Sequence, residues 1–192
     1  LTHAIESYTC KNANLYTQIY AMAAIRGIFK NILKMYKNIE DKEARIEMGK
    51  ASCIAGFAFE KSGLGINHSL AHAIGGKFHK SHGRSNGTIL PYIIRFNSSD
   101  SETAKRYYEI SKEMEFPCSS VAEGAESLAV AVEVLNKALG LPGCVREMGV
   151  DEKEYIKLIP EMAETALKDM CTSGNMKKVD STDLENLLKK VF

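Results

Sequence analysis

Four of the five histidines in this chain lie within a segment of fifteen residues. They are His68, His72, His79 and His82. If the segment begins with a helix, His68 and His72 are four residues apart and project from one face, about 6 Å apart at their Cβ atoms. Imidazole is a ligand for Zn, Fe, Ni and Cu, but two histidines on one helix need further ligands. His82 and His3 are the candidates. The spacing therefore predicts a metal site.

Each histidine also has an explanation that involves no metal. His68 and His72 are compatible with buried core residues whose N–H groups bond to the backbone. His79 is compatible with a solvated loop residue, and so is His82. His3 lies near the start of the sequence, where a lone histidine is usually inert. Chance is a poor explanation of so dense a cluster, but spacing alone leaves both interpretations open.

Most of the sequence has the 3.6-residue apolar period of amphipathic helices. The predicted helices cover residues 15–36, 41–63, 66–76, 101–113, 121–139, 151–169 and 181–191. The stretch from 77 to 87, rich in Gly, His, Lys and Ser, predicts a loop. A shorter apolar run from Ile89 to Phe96 follows and ends at Asn97, with Pro91 expected in a first turn.

Capping residues and small residues add detail to these helices. Asp41 is the expected N-cap of the second helix, and Ser181 or Thr182 that of the last. The second helix contains small residues that would let another helix approach closely: Gly49, Ala51, Ser52, Ala55, Gly56 and Ala58. With no internal repeat and no long linker, the pattern predicts one all-α domain over residues 1–192.

Composition excludes several classes of function. The chain has 192 residues, 45% of them hydrophobic and 26% charged, with a formal net charge of +1. That near-neutral charge argues against binding to nucleic acid or to an anionic membrane. No run of 18 apolar residues and no secretory signal is present. The five cysteines are scattered singly, which suits a reducing compartment and predicts a cytoplasmic protein.

The histidine segment and its flanks resemble the signature of the iron-containing, group III alcohol dehydrogenases. The matching positions in the central segment are Gly63-Leu64-Gly65, His68, Ala71-His72, Gly75, His82-Gly83, Leu90-Pro91 and Phe96-Asn97. The flanking positions that match are Leu1 to Tyr8, Ala51-Ser52, Ala55-Gly56, Asp169-Met170-Cys171-Thr172 and Gly174-Asn175. The resemblance covers essentially the whole chain. One departure is Met176-Lys177, which stands where the family has Pro-Arg.

The resemblance implies a fold and a set of site residues. The fold would be the multi-helix C-terminal domain of the iron-dependent alcohol dehydrogenase and dehydroquinate synthase-like fold. A divalent metal, Fe²⁺ or in some members Zn²⁺, would be bound by His3, His68 and His82 together with an Asp two positions before Leu1. His72 would lie beside the metal and the nicotinamide and position substrate or relay its proton. Cys171 would lie near the substrate pocket, although a buried small apolar residue is the alternative.

The implied activity is the NAD(P)-dependent interconversion of primary alcohols and aldehydes. The nearest alternative is a glycerol or polyol dehydrogenase, or the dehydrogenase half of a bifunctional aldehyde-alcohol enzyme. A stand-alone helical metal-binding module is the non-enzymatic alternative. The sequence contains no strand followed by a glycine-rich phosphate-binding turn, so we expect the nucleotide-binding domain to be absent and this chain to be inactive alone. We also expect weak metal binding without the upstream carboxylate, and the family implies dimers or higher oligomers.

Overall fold

Helices account for all of the regular secondary structure in the computed structural model, which describes the whole chain from Leu1 to Phe192. There are no strands, and the predicted all-α class is confirmed. No helix has both the length and the apolar character needed to cross a membrane. The residues form two compact units, Leu1–Leu64 and Gly65–Phe192. The prediction of a single domain over residues 1–192 stays a prediction.

The first unit contains three helices, α1 (Thr2–Thr9), α2 (Leu15–Lys37) and α3 (Lys42–Ser62). Helix α2 begins at a capping box, in which the Asn14 side chain accepts from the backbone N–H of Thr17 and the Thr17 hydroxyl oxygen accepts from that of Asn14. The N-cap of helix α3 is Asp41, as expected, and its carboxylate accepts from the backbone N–H of Ala44 at 3.0 Å. The sequence predictions for these two helices are confirmed within one residue.

Helices α2 and α3 pack against each other along most of their length. Their backbones come closest where Gly27 of α2 meets Ala51 of α3, since a Cβ added to Gly27 would lie 2.9 Å from the Cβ of Ala51. Nothing lies within 4 Å of a Cβ added to Gly49 or Gly56. The small residues of α3 therefore permit close packing at Ala51, as expected, but these two glycines face open space.

The second unit contains six α-helices and two short 3₁₀ helices. They are α4 (Ile66–Phe78), α5 (His82–Asn97), α6 (Ser101–Glu113), α7 (Val121–Ala138), α8 (Glu152–Lys168) and α9 (Ser181–Val191), with the 3₁₀ helices at Arg146–Met148 and Met170–Gly174. Helix α4 packs against both α5 and α8. It is buried on nearly all sides from Ile66 to Ala71. It therefore holds its polar side chains in a largely fixed environment.

The prediction of a loop up to residue 87 is wrong, because α5 already begins at His82. Gly83 and Gly87 disfavour a helix by about 1 kcal/mol each, but the packing of this segment outweighs that preference. Ser85, Asn86 and Thr88 are all buried. At Gly87 a Cβ would approach the Leu141 side chain to 3.1 Å, so the glycine belongs to a close contact.

Pro91 consequently lies in the interior of α5 and not in its first turn. A proline has no N–H, so the carbonyl four residues earlier, that of Gly87, loses its helical hydrogen bond. The side-chain amide of Asn136 on α7 donates to that carbonyl at 2.6 Å. A neighbouring helix thus satisfies the backbone group that the proline leaves without a partner.

The start of α9 also differs from the expectation. Its N-cap is Asp180, whose carboxylate accepts from the backbone N–H of Asp183 in a capping box, and Ser181 is the first helical residue. An aspartate is as good a cap as serine, and its charge adds a favourable interaction with the helix dipole. The remaining predicted helices of this unit agree with the structure within about two residues.

Candidate metal centre

Three imidazole rings meet where α4 passes the first residue of α5. His68 and His72 lie one turn apart on α4, with ring centroids 5.9 Å apart. The ring of His82 lies 5.3 Å from each of them, centroid to centroid. The predicted shared face of His68 and His72 is confirmed, and the turn from His79 to Ser81 brings His82 back to it.

The three rings differ in their exposure to solvent. His68 is buried, with 1% of its surface exposed, whereas His82 is exposed and the side chain of His72 is 40% exposed. Partial desolvation of its ring lowers the pKa of His82 below its ordinary value, and the charges that His68 and His72 could carry lower it further. Neutral His82 is therefore the dominant form near pH 7, and neutral imidazole is the form that binds metals.

The spacing of the rings fits a shared cation. Two imidazoles on one tetrahedral ion, each with its nitrogen about 2.1 Å from the metal, have centroids about 5 Å apart. The His68–His82 separation meets this condition. The donor set is nitrogen, which suits Zn²⁺ and Fe²⁺. The His72–His82 separation meets the same condition, whereas the 5.9 Å between His68 and His72 is longer, so ring spacing supports His82 with either of the other two histidines.

A pair of buried asparagine side chains supports His82. The Asn86 amide nitrogen lies 3.1 Å from the His82 carbonyl oxygen and 3.3 Å from its Nε2. The Asn67 amide in turn donates to the Asn86 side-chain oxygen at 2.8 Å. Both asparagines are buried, Asn67 completely. Helix α4 thus holds the start of α5 in place through side chains as well as through its core.

His72 has a carboxylate partner that the sequence analysis did not identify. Its Nδ1 lies 2.8 Å from Oδ2 of Asp169, a residue 97 positions later in the chain at the end of α8. Metal-binding imidazoles also commonly donate their second N–H to a carboxylate. The contact is therefore compatible with His72 as a ligand and with His72 as a proton carrier.

Asp169 is itself held by the 3₁₀ helix that follows it. Its Oδ1 accepts from the backbone N–H of Cys171 at 2.8 Å and lies 3.4 Å from the hydroxyl of Ser69. Burial raises the pKa of Asp169, but hydrogen bonds from Cys171 and His72, together with the charge that His72 carries when protonated, outweigh burial and leave it below its ordinary value. Asp169 is thus a carboxylate near neutral pH.

Cys171 lies on the same side of the site. It is buried in the 3₁₀ helix, and its Sγ belongs to a group with a His72 nitrogen and an Asp169 oxygen in which all ligand atoms lie within 4.8 Å of one another. Its position beside His72 is compatible with a substrate pocket. That role stays a prediction.

Two asparagines at positions that match the family signature, Asn97 and Asn175, join two segments of the fold. Asn97 and Asn175 exchange two side-chain hydrogen bonds of 3.0 Å, which join the end of α5 to the segment after the 3₁₀ helix. Lys177, where the family has arginine, lies 3.5 Å from the centre of the Phe96 ring and donates to the Phe96 carbonyl. The positive charge therefore has a defined cation–π contact despite the departure from the motif.

His3 and His79 complete the set of histidines. His3 lies on α1 in the first unit, partly buried, with its ring stacked on that of Phe59 at 4.5 Å between centroids. His79 is exposed and ends α4 in the left-handed region at φ 51°. His79 is thus a solvated residue, which agrees with the explanation that involves no metal. The role of His3 as a metal ligand stays a prediction.

Sequence reasoning missed Asp169 and Asn86 as members of the site. Nothing in the local pattern around Asp169 distinguishes a site carboxylate from an ordinary helix-end aspartate. Its partner His72 lies on α4, and the packing of α4 against α8 and against the 3₁₀ helix that follows joins them. The position of Asn86, four residues after His82, would have been informative if α5 had been predicted to begin at His82.

Comparison with known proteins gives a consistent result. A model described as "Fe-containing alcohol dehydrogenase family, C-terminal" matches residues 1–192. The NADPH-dependent butanol dehydrogenase of Clostridium saccharobutylicum is 37% identical over the whole chain, which spans 48% of that protein. An aldehyde-alcohol dehydrogenase of Streptococcus pneumoniae is 40% identical over 91% of the chain and 21% of its own length.

Solved structures show the same fold. A 1,3-propanediol oxidoreductase superposes with a TM-score of 0.92 at 32% identity, covering all of this chain and 49% of its own. The iron-containing alcohol dehydrogenase of Thermococcus thioreducens gives a TM-score of 0.90 at 32% identity, again over the whole chain and 48% of its own length. The chain thus spans about half the length of most of these relatives.

Proposed function

Because the chain belongs to the Fe-containing alcohol dehydrogenase family, as its C-terminal helical part, we propose that it supplies the metal-binding half of an NAD(P)-dependent alcohol dehydrogenase. The enzyme would interconvert primary alcohols and aldehydes at a divalent cation, Fe²⁺ or Zn²⁺. The observation that carries this proposal is the meeting of His68, His72 and His82 at the junction of α4 and α5. A cytoplasmic location is part of the proposal.

We assign the metal to His3, His68 and His82, as the family pattern implies. Two observations support His68 and His82: their ring spacing, and the buried Asn67–Asn86 pair that fixes His82. The assignment of His3 rests on the family pattern alone. A carboxylate from the part of the longer protein that precedes this chain would complete the set, so we propose that the chain alone binds metal weakly and is inactive.

In this proposal His72 takes part in the reaction and would lie beside the nicotinamide, as the family pattern implies. Groups from outside the chain supply the rest of the chemistry: a divalent cation stabilises an alkoxide and polarises a carbonyl, and NAD(P) carries the hydride. His72 takes up the proton that the alcohol releases, or returns it to the product in aldehyde reduction. In this chain its side chain is 40% exposed, which supports a path for the proton to solvent. Cys171, beside His72, borders the substrate.

The proposal also covers the class of alcohol that the enzyme would use. The relatives include enzymes named for butanol, 1-propanol, methanol and 1,3-propanediol, which supports short primary alcohols as a class. The similarity to aldehyde-alcohol dehydrogenases supports a second candidate, the dehydrogenase half of a bifunctional enzyme. A screen of short alcohols, diols and glycerol, together with an assay for aldehyde oxidation to the acyl-CoA, separates these candidates.

Metal content tests the ligand assignment. In the longer protein, His82→Asn should reduce bound Fe²⁺ or Zn²⁺ at least tenfold, measured by mass spectrometry after dialysis, because an essential nitrogen ligand is lost. His82 is exposed, so the variant should keep the melting temperature of the metal-free protein. His79→Asn is the matched control, since His79 is exposed and asparagine tolerates its left-handed backbone. Unchanged metal content in His82→Asn would refute the assignment.

Activity tests the reaction class. The longer protein should oxidise NAD(P)H in the presence of butanal, whereas the present chain should not. His72→Asn should keep its metal and lose about 10²-fold to 10⁴-fold in kcat, the usual range for a proton-transferring group. A stand-alone metal-binding module predicts the opposite pattern, with stoichiometric metal in the present chain and no aldehyde reduction in any longer form.

A further inference from the structure

We infer that Asp169 is a positioning residue for His72: it accepts the Nδ1 proton and so holds the imidazole in the tautomer whose Nε2 lone pair can take a proton from the substrate. The catalytic part of this inference rests on the proposed function. The tautomer itself does not, since it follows from one contact within the second unit.

The contact is short and comes from a fixed acceptor. His72 Nδ1 lies 2.8 Å from Asp169 Oδ2. The other oxygen, Oδ1, has its own partners, the Cys171 backbone N–H at 2.8 Å and the Ser69 hydroxyl at 3.4 Å. One oxygen is therefore anchored by the 3₁₀ helix and by α4, and the other is directed at His72.

The elements on both sides of the pair are held together as well. The Thr172 hydroxyl lies 2.8 Å from the hydroxyl of Ser69 on α4 and 2.7 Å from the carbonyl of Ala166 on α8. Ser69 is completely buried. These contacts fix the distance between α4, which carries His72, and the start of the 3₁₀ helix, which carries the carboxylate. The geometry of the pair is thus determined by the packing of the unit.

A second metal site is a poorer explanation of the same residues. His72, Asp169 and Cys171 offer a nitrogen, an oxygen and a sulfur within 4.8 Å of one another. Two ligand atoms on one tetrahedral Zn²⁺ are about 3.4 Å apart when each bond is about 2.1 Å. The 2.8 Å between His72 and Asp169 is too short for that arrangement and is an ordinary hydrogen-bond length.

The hydrogen bond decides which nitrogen is available. A neutral imidazole carries its proton on one nitrogen, and an ionised carboxylate can only accept, so Asp169 requires the proton on Nδ1. Nε2 then has the lone pair. When Nε2 takes a proton, the negative charge of Asp169 stabilises the imidazolium that results. An asparagine in its place could donate its amide to Nδ1 and favour the opposite tautomer, as occurs when the aspartate of a serine protease triad is replaced.

Nitrogen NMR of this chain tests the tautomer directly. At pH 8, long-range ¹H–¹⁵N spectra of protein labelled in histidine should give His72 shifts typical of a protonated Nδ1, with the signal assigned by its loss in His72→Asn. In Asp169→Asn the shifts should move toward a protonated Nε2. Asp151→Asn is the matched control, because Asp151 caps α8 through the Glu154 N–H and has no histidine partner. A protonated Nε2 in the parent chain, or no change in Asp169→Asn, would overturn the inference.

Kinetics of the longer protein test the consequence. Asp169→Asn should lower kcat about 10²-fold while metal content and the KM for NAD(P)H stay within about twofold, and it should cause no further loss in a His72→Asn background. Asp169→Ser should lose the same activity although serine can still cap the 3₁₀ helix, which separates positioning from capping. Asp169→Glu should recover part of the rate.

The outcomes distinguish this inference from the proposed function. Loss of bound metal in Asp169→Asn would make His72 a ligand supported by Asp169 and would overturn the inference. Full activity in Asp169→Asn would overturn it too. If the longer protein reduced no aldehyde at all, the proposed function would fail, and the NMR result would still decide whether Asp169 sets the tautomer of His72.

Discussion

Asp100 illustrates how a single side chain is coupled to pH. Its carboxylate caps α6 and accepts from both the backbone N–H of Thr103, at 2.9 Å, and the Thr103 hydroxyl, at 2.7 Å. These hydrogen bonds, the backbone one first, lower the pKa of Asp100 despite the opposing effect of partial burial. Because the folded pKa lies below the unfolded one, the stabilisation is present above about pH 4 and is lost as the pH falls through the folded value.

We therefore expect Asp100→Asn to reduce the melting temperature at pH 7 and to reduce it by less at pH 2.5. Thr103→Val, which removes only the hydroxyl, should give the same pattern with a smaller amplitude. Thermal unfolding between pH 2.5 and 7 measures the difference. An equal loss in Asp100→Asn at both pH values would show that the cap does not depend on the charge.

Helix α5 gives a prediction at the scale of elements. The Asn136 amide replaces the hydrogen bond that Pro91 cannot make to the Gly87 carbonyl. Asn136→Ala should destabilise the chain by about 1–3 kcal/mol, the cost of a buried polar group without a partner. In a Pro91→Ala background the alanine N–H can bond to Gly87, so the same change should cost clearly less. Urea unfolding of the parent, the two single variants and the double variant gives the coupling free energy between Asn136 and Pro91. If the two losses in stability were simply additive, the compensating role of Asn136 would be contradicted.

The contact between α2 and α3 gives a second prediction at this scale. Gly27→Ala should destabilise the chain by about 1–2 kcal/mol, because its Cβ would lie 2.9 Å from that of Ala51 and the two helices would have to separate. Gly49→Ala is the matched control, since open space surrounds its Cβ and alanine is the better helix former by about 1 kcal/mol. Opposite signs are therefore expected in urea unfolding. Destabilisation by both would point to helix geometry in place of steric contact.

For the whole molecule, the central fact is that the family match covers the entire chain but only about half of most relatives. We expect this chain not to bind NADH or NADPH at concentrations below about 1 mM, because it contains no glycine-rich turn after a strand. A titration monitored by nicotinamide fluorescence measures this. Micromolar binding would show that the helical part holds the cofactor unaided. Assembly into dimers or higher oligomers stays a prediction.

The sequence determined the features that depend on local pattern. Helix α2, helix α3 and the pairing of His68 with His72 follow from apolar periodicity and from residues four apart, which are properties of a few neighbouring positions. The resemblance to the family likewise depends only on residue types and their spacing along the sequence, as at Gly65 and His82. The comparisons confirm it.

The tertiary structure decided what depends on contacts between distant segments. The early start of α5 required burial of residues such as Asn86, which outweighs the poor helix propensity of two glycines. Pro91 is tolerated because Asn136, on another helix, supplies a donor. Asp169 reaches His72 across 97 residues. Each of these outcomes is set by packing free energies and hydrogen bonds between elements, and no local pattern of residues contains them.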